Sequence, residues 1–152
     1  MLCLKRFFLA LPPLLLLAPS LVVSLGQKRI VSFNPTDTDA FPLVSSGYAV
    51  PILVSKDDFP GVQRAAKTFS GDISNVTSQT PDVLNEVTPV FNSSGGLALV
   101  VGSVNSPFVS ALVQAGAMNV SDIEGRWESF KIQIVDGSSI GVEKALVIVG
   151  SE

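Results

Sequence analysis

The middle of the chain alternates short apolar runs with helical periodicity. Residues 50–55, VPILVS, form a branched apolar run that is typical of a buried strand. Asp57 and Asp58 then offer a helix cap, and Pro60 suits the first helical turn. The apolar residues that follow at helical spacing are Val62, Ala65, Ala66, Phe69 and Ile73. This pattern predicts a buried strand followed by an amphipathic helix.

The same two signals recur further along the chain. Residues 97–103, LALVVGS, predict a second buried strand, and Ser106 with Pro107 predicts the start of a second helix. The helix face is formed by Phe108, Ala111, Leu112 and Ala115. Gly116 lies where a residue with positive φ often closes a helix. The prolines within residues 78–96 allow at most one short edge strand between the two units.

The C-terminal part predicts a hairpin. Phe130, Ile132 and Ile134 alternate with Lys131 and Gln133, which is the period of a strand with one face on the core and one face in water. After the loop DGSSIGVEK, the final run ALVIVGS is apolar on both faces. Such a run predicts a strand that is covered from both sides.

The whole pattern predicts an α/β fold. It consists of a mixed β-sheet with βαβα units and a C-terminal hairpin, because apolar sheet faces must be covered by helices. Residues 28–48, which include RIVSF and FPLVSSG, are expected to contribute extended pairing at most.

The N-terminus has the organisation of a secretory signal peptide. Lys5 and Arg6 precede an apolar run over residues 7–18, and small residues follow at the spacing that a signal peptidase accepts. We expect residues 1–26 to be removed by cleavage before Gln27. The run is short for a bilayer and is interrupted by prolines, so a membrane anchor is disfavoured.

The mature part, residues 27–152, is predicted to be one secreted, extracellular domain with no membrane association. Cleavage removes the chain's one cysteine, Cys3, so packing rather than a disulfide must stabilise the fold. It also removes two basic residues, which leaves eight basic against 13 acidic side chains and no basic cluster. This charge balance argues against nucleic acid as a partner.

Three sequons survive in the mature part, at Asn75, Asn92 and Asn119, while Asn34 is excluded by the proline that follows it. Together with the signal peptide they indicate a eukaryotic secreted glycoprotein. We expect all three asparagines to be exposed and glycosylated.

The remaining motifs favour structure over catalysis. The GSSIG spacing places Ser139 where a hydrolase has its nucleophile, but a strand follows it and the chain has no histidine, so a hairpin loop is the better interpretation. The acidic pairs at 37 and 39 and at 57 and 58 lack the glycine and glutamate of a calcium loop. The strand ends LVVGSVNSP and LVIVGSE lie where ligands collect in parallel sheets, but they lack the glycines and lysine of a phosphate loop. We expect no catalytic residue, cofactor or metal on this segment.

Trp127 precedes the third predicted strand, between Arg126 and Glu128. A tryptophan at such a place can stack on a sugar ring. More often it anchors a core or a sheet edge, and this is the interpretation we favour.

Four phrases read together resemble the start of the fungal glycoside hydrolases of family 115, the secreted xylan α-1,2-glucuronidases. They are FPLVSSGYAVPILVSKDDFPGVQRAAKTF, LALVVGSVNSPFVSALVQAG, VSDIEGRWESFKIQIVD and GVEKALVIVGS, and they cover most of residues 30–151. The most specific pair is DIEGRWESFKIQIVD followed by EKALVIVGS. The resemblance implies an α/β accessory domain that precedes a catalytic TIM barrel.

The resemblance also implies a function, the removal of glucuronic acid from xylan side chains. Its catalytic and sugar-binding residues lie mostly in the barrel, so none is carried onto this chain, and we expect the segment to be inactive alone. One hypothesis is therefore the leading domain of an α-glucuronidase, with the barrel and cell-wall glucuronoxylan as partners. The other is a free-standing secreted glycoprotein that binds glycan or another protein. The coding sequence beyond codon 152 would distinguish the two.

Overall fold

The fold is built on a five-stranded sheet with a helix packed on each face. The computed structural model describes Ser32, residues 40–86 and residues 96–151. The predicted signal peptide, the acidic residues 37 and 39 and the sequon at Asn92 lie outside the described residues.

The long strands all lie in the C-terminal half of the described chain. The strands are β1 (Val44–Ser45), β2 (Tyr48–Ala49), β3 (Ile52–Leu53), β4 (Val83–Leu84), β5 (Leu97–Ser103), β6 (Phe130–Asp136) and β7 (Lys144–Gly150). The helices are α1 (Pro60–Thr77) and α2 (Pro107–Gln114), and a 3-10 turn, Ser138–Ile140, connects β6 to β7.

The strand order of the sheet is β4-β3-β5-β7-β6. β4, β3, β5 and β7 are parallel, and β6 is antiparallel to β7. These pairings confirm the predicted α/β fold, with its mixed sheet, βαβα units and C-terminal hairpin. β4 is the short edge strand expected between the two units, and the separate antiparallel pair of β1 and β2 is the extended pairing expected before residue 50.

α1 begins at Pro60, a position where the missing N–H of proline costs no hydrogen bond. The predicted cap by Asp57 or Asp58 is wrong, because Phe59 is the N-cap residue and no side chain caps the helix. Asp58 has other partners, described below. At its far end the helix is closed by Ser78, which is left-handed with a φ of 58°.

α1 buries a narrower face than the sequence predicts. Of that face, Ala66 and Ile73 are buried, and Val62 and Phe69 are half-buried. Ala65 is exposed, so its place in the predicted face is wrong. Ser70 is buried instead, and it is satisfied because its Oγ donates to the carbonyl of Pro81 at 2.7 Å.

α2 follows the predicted rules closely. Ser106 is the N-cap, and its Oγ accepts a hydrogen bond from the backbone N–H of Val109 at 3.4 Å. Gly116 has the expected positive φ, 73°. Ala115 is exposed rather than part of the apolar face, and Val109 contributes to the core in its place.

The two faces of the sheet support separate apolar clusters. On the α1 side, Ile52, Val54 and Leu99 pack with Ala66. On the α2 side, Leu53, Val100 and Val147 pack with Val109 and Leu112. Successive residues of a strand point to opposite faces, so neighbouring residues of β5 belong to different clusters.

β6 forms one edge of the sheet, and its faces are the reverse of the prediction. Phe130, Ile132 and Ile134, predicted to lie on the core, are 68%, 43% and 42% exposed. Lys131 and Gln133, predicted to face water, are half-buried. The faces are reversed because α1 packs on this face of the sheet only at β3 and β5. Among the described residues, no element covers the same face of the sheet at β6.

Two exposed carboxyl groups, one in the loop before β6 and one at the last residue of β6, have lowered pKa values. The Lys131 Nζ lies 2.8 Å from Asp122 Oδ1, and this hydrogen bond is the main reason why the pKa of Asp122 lies below its ordinary value of 3.8. A side-chain hydrogen bond from Ser138 is the main reason why the pKa of Asp136 is lowered too. Each group therefore binds protons more weakly in the folded chain than in the unfolded chain.

The sign of these shifts gives a pH prediction. The stabilisation from both carboxylates is complete above the ordinary pKa of aspartate and is lost as the pH falls through their folded-state values, below about 4. We expect the free energy of unfolding to decline over that window, and to decline less in Asp122→Asn. Denaturant unfolding at a series of pH values measures this. Identical pH profiles for the two proteins would show that the Lys131 pair does not contribute.

Candidate functional site

A cleft of about 260 Å³ opens at the carboxyl ends of β3 and β5. One wall is the β3–α1 loop, with Asp57, Asp58, Phe59 and Pro60, and the other is the β5–α2 loop, with Ser103, Asn105 and Ser106. The connection from β3 leads to β4 on one side, while the connection from β5 leads through α2 to β6 on the other side. The cleft therefore lies at a topological switch point, where open α/β sheets commonly bind ligands.

Asp58 joins the two walls of the cleft. The residue is buried, and its Oδ2 accepts a hydrogen bond from the backbone N–H of Ser103 at 2.9 Å. Its Oδ1 accepts from the backbone N–H of Phe59 at 2.8 Å. Both carboxylate oxygens are thus engaged by main-chain donors, so Asp58 acts as a structural tie between the loops.

Gly102 allows the floor of the cleft to close. A Cβ at this position would lie 2.4 Å from the Ser106 Oγ and 3.2 Å from the Asp58 Oδ2. Only a residue without a side chain lets the Asp58 carboxylate and the Ser106 hydroxyl approach β5 this closely. The cleft floor is consequently close-packed and polar.

Aromatic and polar side chains line the cleft. Phe59 presents its ring to solvent, with 56% of the residue exposed, and Asp57 and Asn105 are exposed beside it. Ser103 is buried at the base of the cleft. Its backbone N–H donates a hydrogen bond to the Asp58 Oδ2.

A second cleft, of about 230 Å³, lies at the other end of β3. It is lined by Pro42, Ser45, Ser46, Tyr48, Ala49, Val50 and Leu97. Its lining has no ionisable group other than the Tyr48 phenol. It therefore offers less chemistry than the cleft at the carboxyl ends of the strands.

The sequence motifs with catalytic spacing are structural in this fold. Ser139 lies in the exposed 3-10 turn between β6 and β7, which confirms the hairpin loop. Asp57 and Asp58 share the cleft, but only Asp57 has a free approach from solvent. Within the described residues, no group of three or more histidine, cysteine, aspartate or glutamate side chains could hold a metal ion.

Trp127 is 84% exposed, so the predicted core or edge anchor is wrong. Ser129 and Ser151 exchange hydrogen bonds: Ser129 N–H donates to Ser151 Oγ at 2.9 Å, and Ser151 N–H donates to Ser129 O at 2.8 Å. They extend the pairing of β6 and β7 past Gly150. Trp127 comes two residues before Ser129, and thus lies beyond the same carboxyl edge as the cleft.

An apolar surface lies on the sheet face that α1 packs against, in the part of that face that α1 does not cover. It is formed by Phe130, Ile132 and Ile134 on β6 and by the half-buried Leu146 and Ile148 on β7. We call these five side chains the β6 face. Ile132 pairs with Ile148 and Ile134 with Leu146, so the surface is continuous across two strands.

Two of the three sequon asparagines are described, and both are exposed. Asn75 lies in the last turn of α1, and Asn119 lies in the loop before β6. The Oδ1 of Asn119 accepts from the backbone N–H of Ser121 at 2.8 Å, which closes a turn over the sequon. The backbone carbonyl of Asn119 accepts a hydrogen bond from Lys131 Nζ at 2.6 Å.

We expect glycosylation at Asn75 and Asn119 when the protein is secreted from a eukaryotic host. Each side chain is accessible without disturbing a strand. Removal of N-glycans with an amidase should lower the apparent mass, and Asn75→Gln and Asn119→Gln should each remove one step of that shift. A mass that is unchanged by the amidase would contradict the prediction.

Sequence reasoning missed the most informative contact of the site. The Asp58 carboxylate accepts a hydrogen bond from the backbone N–H of Ser103, which is 45 positions away in the sequence. No local sequence pattern predicts such a long-range hydrogen bond. The signal that was present is topological: two strand–helix units in succession place both loops at one edge of a parallel sheet.

Comparison with known proteins adds no assignment. No protein-family model matches the sequence, and no curated protein matches it either. Among the described residues, no helix combines the length and hydropathy needed to cross a membrane.

Proposed function

We propose that this chain is the α/β accessory domain of a secreted xylan α-1,2-glucuronidase and that it packs against a catalytic barrel. The resemblance of the sequence to the leading domain of family 115 supports the proposal. The structural observation that carries it is the β6 face, an apolar surface on a sheet that is otherwise well covered. Contiguous exposed apolar patches mark surfaces that contact another protein, a membrane or a ligand, and the first of these fits a domain that precedes a barrel.

The energetics favour a covered β6 face. Ile132 and Ile134 each leave more than two fifths of their surface exposed, and burying that remainder would contribute about 1 kcal/mol per side chain. Phe130, which is more exposed, would contribute at least as much. These gains are available only when another surface packs against β6 and β7.

The chemistry of the cleft supports an accessory role rather than glycoside hydrolysis by this chain alone. Hydrolysis requires two carboxyl groups that face each other across a sugar, one of them free to give up a proton. In the cleft at the carboxyl ends of the strands, both oxygens of Asp58 accept main-chain hydrogen bonds. Asp57 is then the one carboxylate of this cleft with free approach from solvent.

A mixing experiment tests the proposal. The secreted chain and a separately produced catalytic barrel of a xylan α-glucuronidase are combined, and association is followed by sedimentation while uronic acid release from glucuronoxylan is assayed. We expect no release by the chain alone and association of the two proteins. The double variant Ile132→Lys, Ile134→Lys should abolish association.

The control is Val76→Lys, because Val76 is 73% exposed on α1 and the change adds a positive charge away from the β6 face. Association that persists in the double variant, or that is lost equally in the control, would contradict the assigned docking surface. Uronic acid release by the chain alone would contradict the accessory role.

The second candidate is a free-standing glycan-binding module. The specific observation in its favour is the combination of an exposed aromatic ring with hydroxyl, amide and carboxylate groups around the cleft. Binding of glycan by a chain that does not associate with a catalytic barrel would favour this candidate.

A further inference from the structure

The carboxyl edge of the sheet is one connected surface. Asp58 ties the β3–α1 loop to Ser103 at the end of β5. The Val104 N–H donates to the carbonyl of Gly150 at 3.0 Å, which ties the β5–α2 loop to the end of β7. The Ser129 and Ser151 bonds continue this connection to the segment that carries Trp127.

Two exposed aromatic rings lie along this surface, Phe59 at the cleft and Trp127 beyond the end of β6. The order β3-β5-β7-β6 places three strand spacings between the strand that leads to Phe59 and the strand that follows Trp127. At about 4.8 Å per spacing, the ends of these two strands lie on the order of 15 Å apart. A short chain of linked rings can span such a surface.

The charged and polar side chains at this edge limit the chemical class of ligand that it can bind. Among the described residues, the charged side chains at this edge are Lys56, Asp57, Asp58, Arg126 and Glu128. With two cations and three anions, they form no basic cluster that would hold a phosphate or an anionic sugar. Asp57, Asn105 and the Ser103 hydroxyl instead offer acceptors and donors to neutral hydroxyl groups.

We propose that the carboxyl edge is a binding site for a neutral pyranose oligosaccharide. The apolar face of one ring stacks on Phe59, with its hydroxyls toward Asp57, Asn105 and the buried Ser103 hydroxyl. A further ring stacks on Trp127. The inference rests on the proposed function only for the choice of xylan as the first probe.

The test uses the full secreted chain and isothermal titration with three probes: xylohexaose, cellohexaose and an oligogalacturonate of similar length. We expect a neutral hexaose to bind and the anionic probe to bind at least about tenfold more weakly. Phe59→Ala and Trp127→Ala should each weaken binding of the neutral probe about fivefold or more, the size of effect seen when a stacked aromatic contact is removed. Both side chains are exposed, so neither variant is expected to unfold the protein.

The matched control is Tyr48→Ala, which removes an exposed aromatic ring at the opposite end of β3, in the second cleft. It should leave binding unchanged. Absence of binding by both neutral probes, tighter binding of the anionic probe, or equal loss in Tyr48→Ala would overturn the proposal. Binding of cellohexaose without xylohexaose would support the site while contradicting the xylan assignment of the proposed function.

Discussion

Asp58→Ala should lower the free energy of unfolding by about 2–4 kcal/mol, because it leaves the buried N–H of Ser103 and the N–H of Phe59 without their charged acceptor. The carboxylate is buried between the two loops, and each of its oxygens accepts one of these bonds. Asp58→Asn keeps one acceptor oxygen and should lose roughly half as much.

The neighbouring acidic residue supplies the control. Asp57 is exposed, and Asp57→Ala should change stability by less than about 0.5 kcal/mol. Denaturant unfolding with linear extrapolation compares the three variants with the parent protein. Equal stability of Asp58→Ala and Asp57→Ala would contradict the role of Asp58 as a tie.

Gly102→Ala should destabilise the fold by about 1–3 kcal/mol through overpacking. The added methyl group would meet the Ser106 Oγ at 2.4 Å, so either the Ser106 hydroxyl must leave its N-cap position or the backbone must shift. Adding Ser106→Ala to this variant removes the clashing oxygen and should recover part of the loss. The two changes are therefore expected to be non-additive.

Gly71→Ala is the matched glycine control. Gly71 lies inside α1, and a Cβ there meets no atom within 4 Å, so this change should stabilise the protein by about 0.5–1 kcal/mol. Thermal or denaturant unfolding separates the opposite signs directly. If Gly102→Ala were as stable as the parent protein, the close packing of the cleft floor would be contradicted.

Local pattern was sufficient to predict most of the elements. β5 occupies the predicted residues 97–103, and α2 begins after the predicted cap at Ser106, because strand runs and capping chemistry are properties of neighbouring residues. The C-terminal hairpin also follows from period and turn signals. These features do not depend on what packs against them.

Features that depend on coverage could not be predicted in the same way. Alternation in β6 identifies two faces, but it does not say which face another element covers, so Ile132 and Ile134 were placed on the wrong side. The prediction that Trp127 anchors a core or a sheet edge is wrong for the same reason. The hydrogen bond between Asp58 and Ser103 depends on how two loops meet in three dimensions. The sequence near either residue therefore does not predict it.

The position of β7 has a consequence for how the chain folds during synthesis. β7 is the last strand of the described chain, yet it lies between β5 and β6 and pairs with both along its whole length. Until these residues leave the ribosome, β5 and the strand that becomes β6 have no partner on their facing edges. The C-terminal hairpin can form locally, but its parallel pairing with β5 closes a long loop and is intrinsically slower. Completion of the sheet therefore waits for nearly the whole described domain to be made, and the nascent chain exposes apolar strand edges to chaperones until that moment.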